Sequence, residues 1–441
     1  MRRGNTMSNV LPTNRVAPPT EAEEPQYIPL SKVFAVGIGN ALEFYDFLTF
    51  SFFAIQIGHC FFPVSQTSHG LVYSLAAFGV GFVTRPIGSV VIGFYGDRAG
   101  RKPAMILSFT LMGAAILGLA LTPTFAQIGI AAPILLVIFR LTQGFALGGE
   151  VGPTTAFLVE AAPLHRRGLY VAIQYMTQDM AVLVAGLVGF ILSTRLTAQA
   201  LDAWGWRVAF LLGTAVVPLG LYMRRSLPET MHESDRLAAT AAHQRRIPVR
   251  LVVIALMLMM AVSTYLFGLD YITTWVQDSL HLNVGMAFAA TVVVGMCAVL
   301  ADPVSGYLSD RVGRRPVTLG AALALVLLVV PCFMLMSHTR SALAVFVSIA
   351  ILAVLQAFFT VPALVSVTES LPKAVRSGAL AVIYAVAVSI FGGSTQFAIK
   401  WLTDLTGSSL VPAWYITGAV VIGAIAMTLA QETAPIRAGP S

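Results

Sequence analysis

The sequence is a succession of apolar stretches, each about 20 residues long and able to cross the hydrocarbon core of a bilayer as a helix. Only 11% of the 441 residues are charged and 57% are hydrophobic, whereas about a quarter of the residues in soluble domains are charged. A water-soluble globule is thus excluded. We predict twelve membrane spans, at residues 33–57, 70–95, 103–122, 127–152, 167–194, 206–226, 249–277, 283–308, 315–337, 341–368, 375–400 and 411–431.

Basic residues are concentrated in every second loop. One alternating set of loops holds most of the Lys and Arg, while the other set holds only Arg195, Arg207 and Arg340. Because short cytoplasmic loops retain Lys and Arg, we expect both termini and the 227–248 segment to be cytoplasmic in a multi-pass protein of a bacterial-type inner membrane. The net charge of +7 therefore reports topology and does not indicate nucleic-acid binding.

The polar segments suggest where the domains begin and end. Residues 1–32 are polar and proline-rich, and they lack the apolar core and cleavage site of a secretory signal. The three cysteines are scattered singly, which excludes a disulfide framework and a CxxC metal site. The predicted division is an N-terminal cytoplasmic tail at 1–32, a six-helix bundle at 33–226, a cytoplasmic linker at 227–248, a second six-helix bundle at 249–431 and a C-terminal cytoplasmic tail at 432–441.

An internal repeat supports this division. The string GFYGDRAGRKP, which starts at Gly93, returns as GYLSDRVGRRP at Gly306, each after the second span of its half. A weaker pair, EAAPLHRRG from Glu160 and ESLPKAVRSG from Glu369, follows the fourth span of each half. The sequence therefore predicts an all-α polytopic membrane protein, with twelve transmembrane helices in two pseudo-symmetric bundles and a binding site between them at the midplane.

The repeated turns carry the charges expected of a gate. Glycine allows close backbone approach, and the arginines can pair with the aspartate and with carbonyl groups at helix C-termini. The alternative is that these basic turns only anchor the topology. Because two copies occupy equivalent positions, we predict a breakable set of ion pairs at the cytoplasmic end, formed by Asp97, Arg98, Arg101, Glu160, Asp310, Arg311, Arg314 and Glu369. Asp302 is expected to be a further gate partner and not a ligand.

Ionisable residues within the spans are functional candidates, because charge is costly in lipid. Glu43 and Asp46 are three residues apart on one face of the first span, with Tyr45 beside them. Burial and mutual repulsion favour protonation of at least one carboxyl group, which a reversible proton carrier requires. The alternative is static pairing of these acids with Arg85 or Arg140.

Several motifs resemble those of a known family. The two GxxxDRxGR[RK] turns and the string RLTQGFALGGEVG, which contains Arg140, are similar to signature motifs of the major facilitator superfamily. Within this superfamily, the strings GNALEFYDFLTFSFFA, WGWRVAF and RRSLPET resemble those of a branch of metabolite:proton symporters. The strings SIFGGSTQ and LTGSSLVPAWY look most like citrate and tricarballylate carriers. The resemblance implies the major facilitator fold and proton coupling through Glu43, Asp46 and Arg140.

Arg85 is the main candidate for binding a carboxylate substrate, because a guanidinium group matches a carboxylate in two-pronged geometry and remains charged. A structural role for the Arg85–Pro86 pair in kinking the helix is the alternative. Gln174 and Gln178, four residues apart, could donate amide hydrogen bonds to an anion or hold helices together. The predicted substrate-binding residues are Tyr45, Arg85, Gln143, Gln174, Gln178 and Tyr271.

The sequence predicts a transporter and not an enzyme. It contains no GxxxxGK[ST], GxSxG or HExxH motif, so an ion gradient must drive transport and no cofactor or metal is expected. We expect a monomer that imports a small organic acid, such as citrate or tricarballylate, together with protons. A proline/betaine or shikimate/alpha-ketoglutarate symporter is the alternative. A proton-coupled antiporter is disfavoured because the fifth span lacks a Gly-Pro pair.

Overall fold

The computed structural model describes residues 41, 44–62, 67–99, 101–148, 151–214 and 247–438. We number the membrane-spanning helices α1 to α12 along the chain. The first half contains α1 (helical residues 44–61), α2 (Thr67–Val80 and Arg85–Ala99), α3 (Arg101–Leu121), α4 (Ala131–Leu147 and Val151–Ala161), α5 (Arg167–Arg195) and α6 (described at 206–214). The second half contains α7 (Val249–Asp270 and Ile272–Asp278), α8 (Val284–Val312), α9 (Arg314–Thr339), α10 (Ala342–Ser370), α11 (Arg376–Ala387 and Gly393–Thr406) and α12 (Val411–Leu429).

These helices are long and apolar enough to cross a membrane. Among the described residues, eight continuous helical stretches meet that requirement, and Ile106–Leu121 and Ala131–Leu147 are shorter apolar helices. With α1 and α6, they account for the twelve predicted spans. The helices extend beyond the predicted limits at several ends; α4, for example, continues to Ala161, nine residues past the predicted 152.

The outer faces of the bundle remain apolar. Large aliphatic side chains such as Val90, Leu121, Leu300, Leu323 and Leu343 are each more than 60% exposed. Exposure of such side chains to water would be unfavourable, and in a helical membrane protein they contact lipid tails. The interior is also largely apolar. Charged side chains buried there are therefore the main functional candidates.

The two halves are packed against each other along α5 and α8, which run antiparallel. Small residues make this close approach possible. A Cβ atom built on Gly168 of α5 would lie 2.6 Å from the carbonyl oxygen of Gly306 of α8. Further along, Gly186 faces Thr291. Glycine at these points lets two helices meet backbone to backbone without strong polar interactions.

A second seam between the halves is formed by α2 and α11. A Cβ atom on Gly79 of α2 would lie 2.6 Å from the carbonyl oxygen of Gly393. Just before Gly393, residues Val388–Gly392 form a π-helical turn. Ser389 in that turn donates a hydrogen bond to the carbonyl oxygen of Phe82, with an O···O distance of 2.8 Å. Turns of this kind widen a helix locally and often occur at functional sites.

Candidate functional site

Two arginines are buried in the interior of the first half. Arg85 of α2 is 3% exposed and Arg140 of α4 is fully buried. The guanidinium carbons of both lie over the ring of Phe47 of α1, at 4.5 Å for Arg85 and 4.4 Å for Arg140. Phe82 and Phe50 supply a further ring each, at 4.3 Å and 4.4 Å. Cation–π contacts of this kind partly replace the lost hydration of the guanidinium groups.

Arg140 is held by side-chain and backbone oxygens. Its Nη1 donates to Oε1 of Gln143 at 2.7 Å, and its Nη2 donates to the carbonyl oxygen of Phe78 at 3.3 Å. No carboxylate among the described residues forms an ion pair with Arg140. Arg85 is close enough to act on it electrostatically as a like charge. The two guanidinium groups therefore lie close to each other in the interior of the first half.

Asp46 lies against a different helix. Its side chain is 3% exposed and packs against Gly213 of α6, where a Cβ atom would clash with Oδ1. Neighbouring Tyr45 donates to the carbonyl oxygen of Ala209 at 3.0 Å. Oδ1 of Asp46 has no hydrogen-bond partner among the described residues. The structure thus directs Tyr45 and Asp46 towards α6, while Glu43, the other predicted acid, lies outside the described residues.

The predicted glutamines have different surroundings. Oε1 of Gln174 accepts a hydrogen bond from Thr155 of α4 at 3.0 Å, which ties α5 to its neighbour in the same half. Gln178 hydrogen-bonds Tyr384 of α11 and therefore bridges the halves. Gln143 is fully buried, and its Nε2 has no hydrogen-bond partner among the described residues. Gln143 thus has a free amide donor beside the arginines.

Tyr271 lies near a cluster of charges towards the end of α7. Its hydroxyl group has no hydrogen-bond partner in the part of the chain that is described, and Asp278 and Asp404 act on it electrostatically. Lys400, which is 4% exposed, pairs with these two carboxylates at 2.8 Å and 2.7 Å. Tyr271 is therefore beside this ion-pair cluster and not in the phenylalanine-lined group around Arg85 and Arg140.

The second copy of the repeated turn forms a buried charge cluster at what we call the basic end of the bundle, where α8 meets α9. Arg314 is fully buried and pairs with Asp310 at 2.6 Å and with Glu369 at 3.3 Å. Thr433 also donates to Glu369, at 2.7 Å. The predicted pairing of Asp310, Arg314 and Glu369 is thus present, within the second half.

The same cluster is joined to the first half. Both carboxylate oxygens of Asp310 accept hydrogen bonds from backbone amides at the start of α5, from Gly168 at 2.8 Å and Leu169 at 3.0 Å. A carboxylate at this position also interacts favourably with the helix dipole. Arg167 approaches Glu369 at 3.7 Å. The two halves are therefore connected at the basic end by charged groups.

A separate ion pair links the weaker repeats. Glu160, at the end of α4, pairs with Arg376, at the start of α11, at 3.1 Å. Arg376 is buried, whereas the Glu160 side chain is 46% exposed. The acid of the first weak repeat is therefore joined to the arginine of the second, which sequence comparison alone did not pair.

Of the remaining gate predictions, Arg311 and Asp302 lie on described parts of the chain. Arg311 is exposed, and its guanidinium carbon lies 4.5 Å from the ring centre of Tyr307 on the same helix. The side chains of Asp97, Arg98 and Arg101 lie outside the described residues. Asp302, expected at the gate, is instead in the interior, hydrogen-bonded to Asp179 of α5. Its distance along α8 from the basic end explains this difference: ten residues of helix separate it from Val312.

One contributor to the basic end was missed by sequence reasoning. Glu432 accepts hydrogen bonds from the backbone amides of Arg314 and Arg315 at 2.9 Å and 3.0 Å, capping α9. It lies after the last span, where no spacing rule connects it with α9. No group of three or more His, Cys, Asp or Glu suitable for a metal ion occurs among the described residues.

Comparison with known proteins identifies the fold. The family model of the Major Facilitator Superfamily matches residues 36–395 and, in a second match, residues 255–440. The chain belongs to the major facilitator superfamily. It superposes with a TM-score of 0.74 on the xylose transporter XylE from E. coli in a partially occluded inward-open conformation, over 92% of this chain and 98% of that one, at 16% identity.

Sequence relatives of this major facilitator protein are transporters. A citrate-proton symporter of Klebsiella pneumoniae is 33% identical over 402 residues, which is 90% of each chain. A proline/betaine transporter of Escherichia coli K12 is 31% identical over 422 residues, covering 91% of this chain and 83% of the relative. The resemblance inferred from the motifs is confirmed, and the chain is a multi-pass membrane transporter and not an enzyme.

Proposed function

We propose that this transporter imports a small di- or tricarboxylate, such as citrate or tricarballylate, together with protons. The observation that carries the proposal is the pair of buried arginines, Arg85 and Arg140, stacked on the single ring of Phe47. A carboxylate that binds beside them can accept charge-assisted hydrogen bonds from guanidinium groups. The similarity to citrate-proton symporters supports this substrate class.

Arg85 binds a substrate carboxylate in this scheme, and Gln143 supplies an amide donor next to Arg140. Gln174, Gln178, Tyr45 and Tyr271 remain proposed contributors to substrate binding. Tyr45 already donates its hydroxyl proton to a carbonyl oxygen, so it exchanges this contact for a substrate contact if it binds. The contact with Thr155 uses Oε1 of Gln174, whereas an anion would accept a hydrogen bond from its Nε2. Gln178 bridges to α11, so its contact with substrate would couple binding to movement of the halves.

Proton coupling is assigned to Glu43, Asp46 and Arg140. Oδ1 of Asp46 is buried and has no hydrogen-bond partner among the described residues. An unpartnered carboxylate oxygen is costly in the interior, and a proton on Asp46 reduces that cost. Protons also help the anion to enter. Each negative charge moved into an inside-negative cell is opposed by about 2.3 kcal/mol per 100 mV, and a bound proton cancels one such charge.

The orientation follows from the loop charges. With both termini cytoplasmic in an inner membrane, the basic end faces the cytoplasm and its ion pairs close the inward route. Asp310, Arg314, Glu369 and Glu160 then act at the gate, and opening requires their contacts with α5 and α11 to break. In the first copy of the turn, Asp97, Arg98 and Arg101 are proposed to act in the equivalent way.

Uptake into proteoliposomes tests the proposal. Radiolabelled citrate, tricarballylate, alpha-ketoglutarate, shikimate and betaine are compared under an imposed pH gradient. We expect accumulation of a di- or tricarboxylate that collapses when the gradient is dissipated. Accumulation of betaine alone would support the zwitterion alternative, and accumulation that ignores the gradient would overturn proton coupling.

Variants separate substrate binding from coupling. Arg85→Ala is expected to abolish carboxylate binding, and Arg85→Lys to weaken it because an ammonium group lacks the two-pronged geometry. Arg195→Ala, an exposed arginine at the end of α5, is the matched control and should transport normally. Glu43→Gln and Asp46→Asn should retain substrate exchange but lose proton-driven accumulation. Unchanged transport in the Arg85, Glu43 and Asp46 variants would contradict the roles assigned to these three residues.

A further inference from the structure

Two carboxyl groups from opposite halves meet in the interior. Asp179 of α5 and Asp302 of α8 are 5% and 1% exposed, and their side chains hydrogen-bond each other. Asp179 lies twelve residues after Arg167 and Asp302 ten residues before Val312. At about 1.5 Å per residue, both are roughly 15–18 Å from the basic end, which places them deep in the bundle.

This contact requires a proton. An ionised carboxylate only accepts hydrogen bonds, so a hydrogen bond between two carboxyl groups exists only when at least one of them is protonated. None of the ion pairs made by the described side chains includes Asp179 or Asp302. Ionisation of both would leave two adjacent negative charges in a buried site.

Among the described residues that face Asp179 and Asp302, none is a cation paired with either carboxyl group. Tyr175, on α5 itself, is acted on by both acids and by Tyr384 of α11, and its hydroxyl has no hydrogen-bond partner among the described residues. Asp270 of α7 is acted on by Asp179. Arg85 of α2 acts electrostatically on Tyr384. The charged groups of α4 and α10 near this interface, Glu160 and Glu369, are paired with arginines at the basic end.

We propose that Asp179 and Asp302 form a second proton-binding site, separate from Glu43 and Asp46, which holds α5 against α8 only while a proton is shared between them. Binding forms one O–H bond to a carboxylate oxygen, and release returns that proton to water on the side that has opened. When both groups are ionised, their repulsion separates α5 from α8. The inference deepens the proposed proton coupling and rests on it for the direction of transport.

The position of the pair explains how one proton can affect the whole molecule. The two acids belong to the helix pair that joins the halves, with the contact between Gly168 and Gly306 nearer the basic end. Loss of the shared proton therefore acts on the interface that must open and close during transport. A carboxyl pair within one half would not have this effect.

The distance between the halves tests the proposal without any substrate. Spin labels are attached at His165→Cys and Lys373→Cys, two exposed positions at the basic end in opposite halves, in a background that lacks the three native cysteines. Double electron–electron resonance is measured in proteoliposomes from pH 5 to pH 9. We expect one narrow distance at low pH and a shift towards a longer, broader distribution at high pH.

Asparagine variants identify the groups responsible. In Asp302→Asn the amide donates to Asp179 at every pH, so the shift with pH should disappear and the short distance should persist. Asp179→Asn tests the same bond from the other half and serves if Asp302→Asn is not recovered. Asp202→Asn, which removes an outer-surface carboxyl group paired with His59, is the control and should retain the shift.

The outcomes distinguish this inference from the proposed function. A pH shift that is unchanged in both asparagine variants overturns the carboxyl pair, even if carboxylate uptake is proton-driven. A distance that is independent of pH in the parent protein overturns it as well. Loss of the shift in both variants supports the pair, even if the uptake assays show that the substrate is not a carboxylate.

Discussion

Two aspartates of α8 contact α5, and the groups around them differ in charge. At the basic end, Asp310 accepts two backbone hydrogen bonds from α5 and pairs with Arg314. About 12 Å further along the helix, Asp302 hydrogen-bonds another acid, Asp179. The first contact is made by an ionised carboxylate and the second needs a proton. One helix pair therefore carries one contact governed by charge pairing and another governed by protonation.

Removing the arginine from the ionised contact should have the largest effect. Arg314→Ala leaves Asp310 without the cation it pairs with and leaves Glu369 with the longer contact to Arg167. Breaking a buried ion pair in this way typically costs about 3–5 kcal/mol. We expect a corresponding loss in the free energy of unfolding of the purified protein in detergent, together with opening of the basic end.

The matched control for this variant is three residues away. Arg311→Ala removes an exposed guanidinium group that only covers Tyr307, so its cost should stay below about 1 kcal/mol. Equal destabilisation by the two substitutions would show that the buried cluster does not hold the basic end together.

Titration sharpens the comparison at the second contact. In our proposal the folded protein holds a proton between Asp179 and Asp302. Aspartates of the unfolded chain have pKa values of about 3.9 and are ionised at neutral pH, so the folded state binds more protons. The free energy of unfolding should then decrease as pH rises, by at most about 1.4 kcal/mol per pH unit for one proton.

Unfolding of Asp302→Asn should lack this part of the pH dependence, while Arg314→Ala should retain it. The measurement is denaturant unfolding in detergent between pH 5 and pH 8. Parallel pH profiles for the parent protein and Asp302→Asn would contradict proton sharing at this position.

A glycine substitution tests how closely the ionised contact depends on backbone approach. In Gly306→Ala the new Cβ atom would lie 2.5 Å from the carbonyl oxygen of Gly168, so α5 and α8 must move apart. Overpacking of this kind costs about 1–3 kcal/mol, and the hydrogen bonds from Gly168 to Asp310 should weaken with it.

Gly320→Ala in α9 is the control, because a Cβ atom there meets nothing within 4 Å. That substitution should be neutral or stabilising by up to about 1 kcal/mol, since alanine favours a helix interior. Thermal unfolding of the two variants provides the test, and similar midpoints would argue against a tight contact at Gly306.

The smallest effect is expected at the pair formed by Glu160 and Arg376. Because Glu160 is 46% exposed, Glu160→Gln should cost no more than about 1 kcal/mol. Salt should reduce the difference between this variant and the parent, whereas the buried Arg314 cluster should be nearly insensitive to salt. An effect as large as that of Arg314→Ala would place the main link between the halves at α4 and α11.

The spans and the second charged turn were predictable because they depend on properties local in sequence. Apolar length defines a membrane helix, and Asp310 and Arg314 are one helical turn apart, as their spacing indicates. The pairing of Asp179 with Asp302 was not predictable, because spacing along one helix does not tell which face of another helix lies opposite. For the same reason Tyr45 and Asp46 could be assigned to one helix but not to their contacts with α6.

The π-helical turn at Val388–Gly392 divides α11 into two α-helical segments. The first segment contains Arg376, which pairs with Glu160 of α4. The second contains Gln396, whose Oε1 accepts a hydrogen bond from Ser51 of α1 at 2.8 Å. A helix can bend at a π-helical turn while the α-helical segments on either side keep their shape. We therefore expect the contact of α11 with α4 to break independently of its contact with α1.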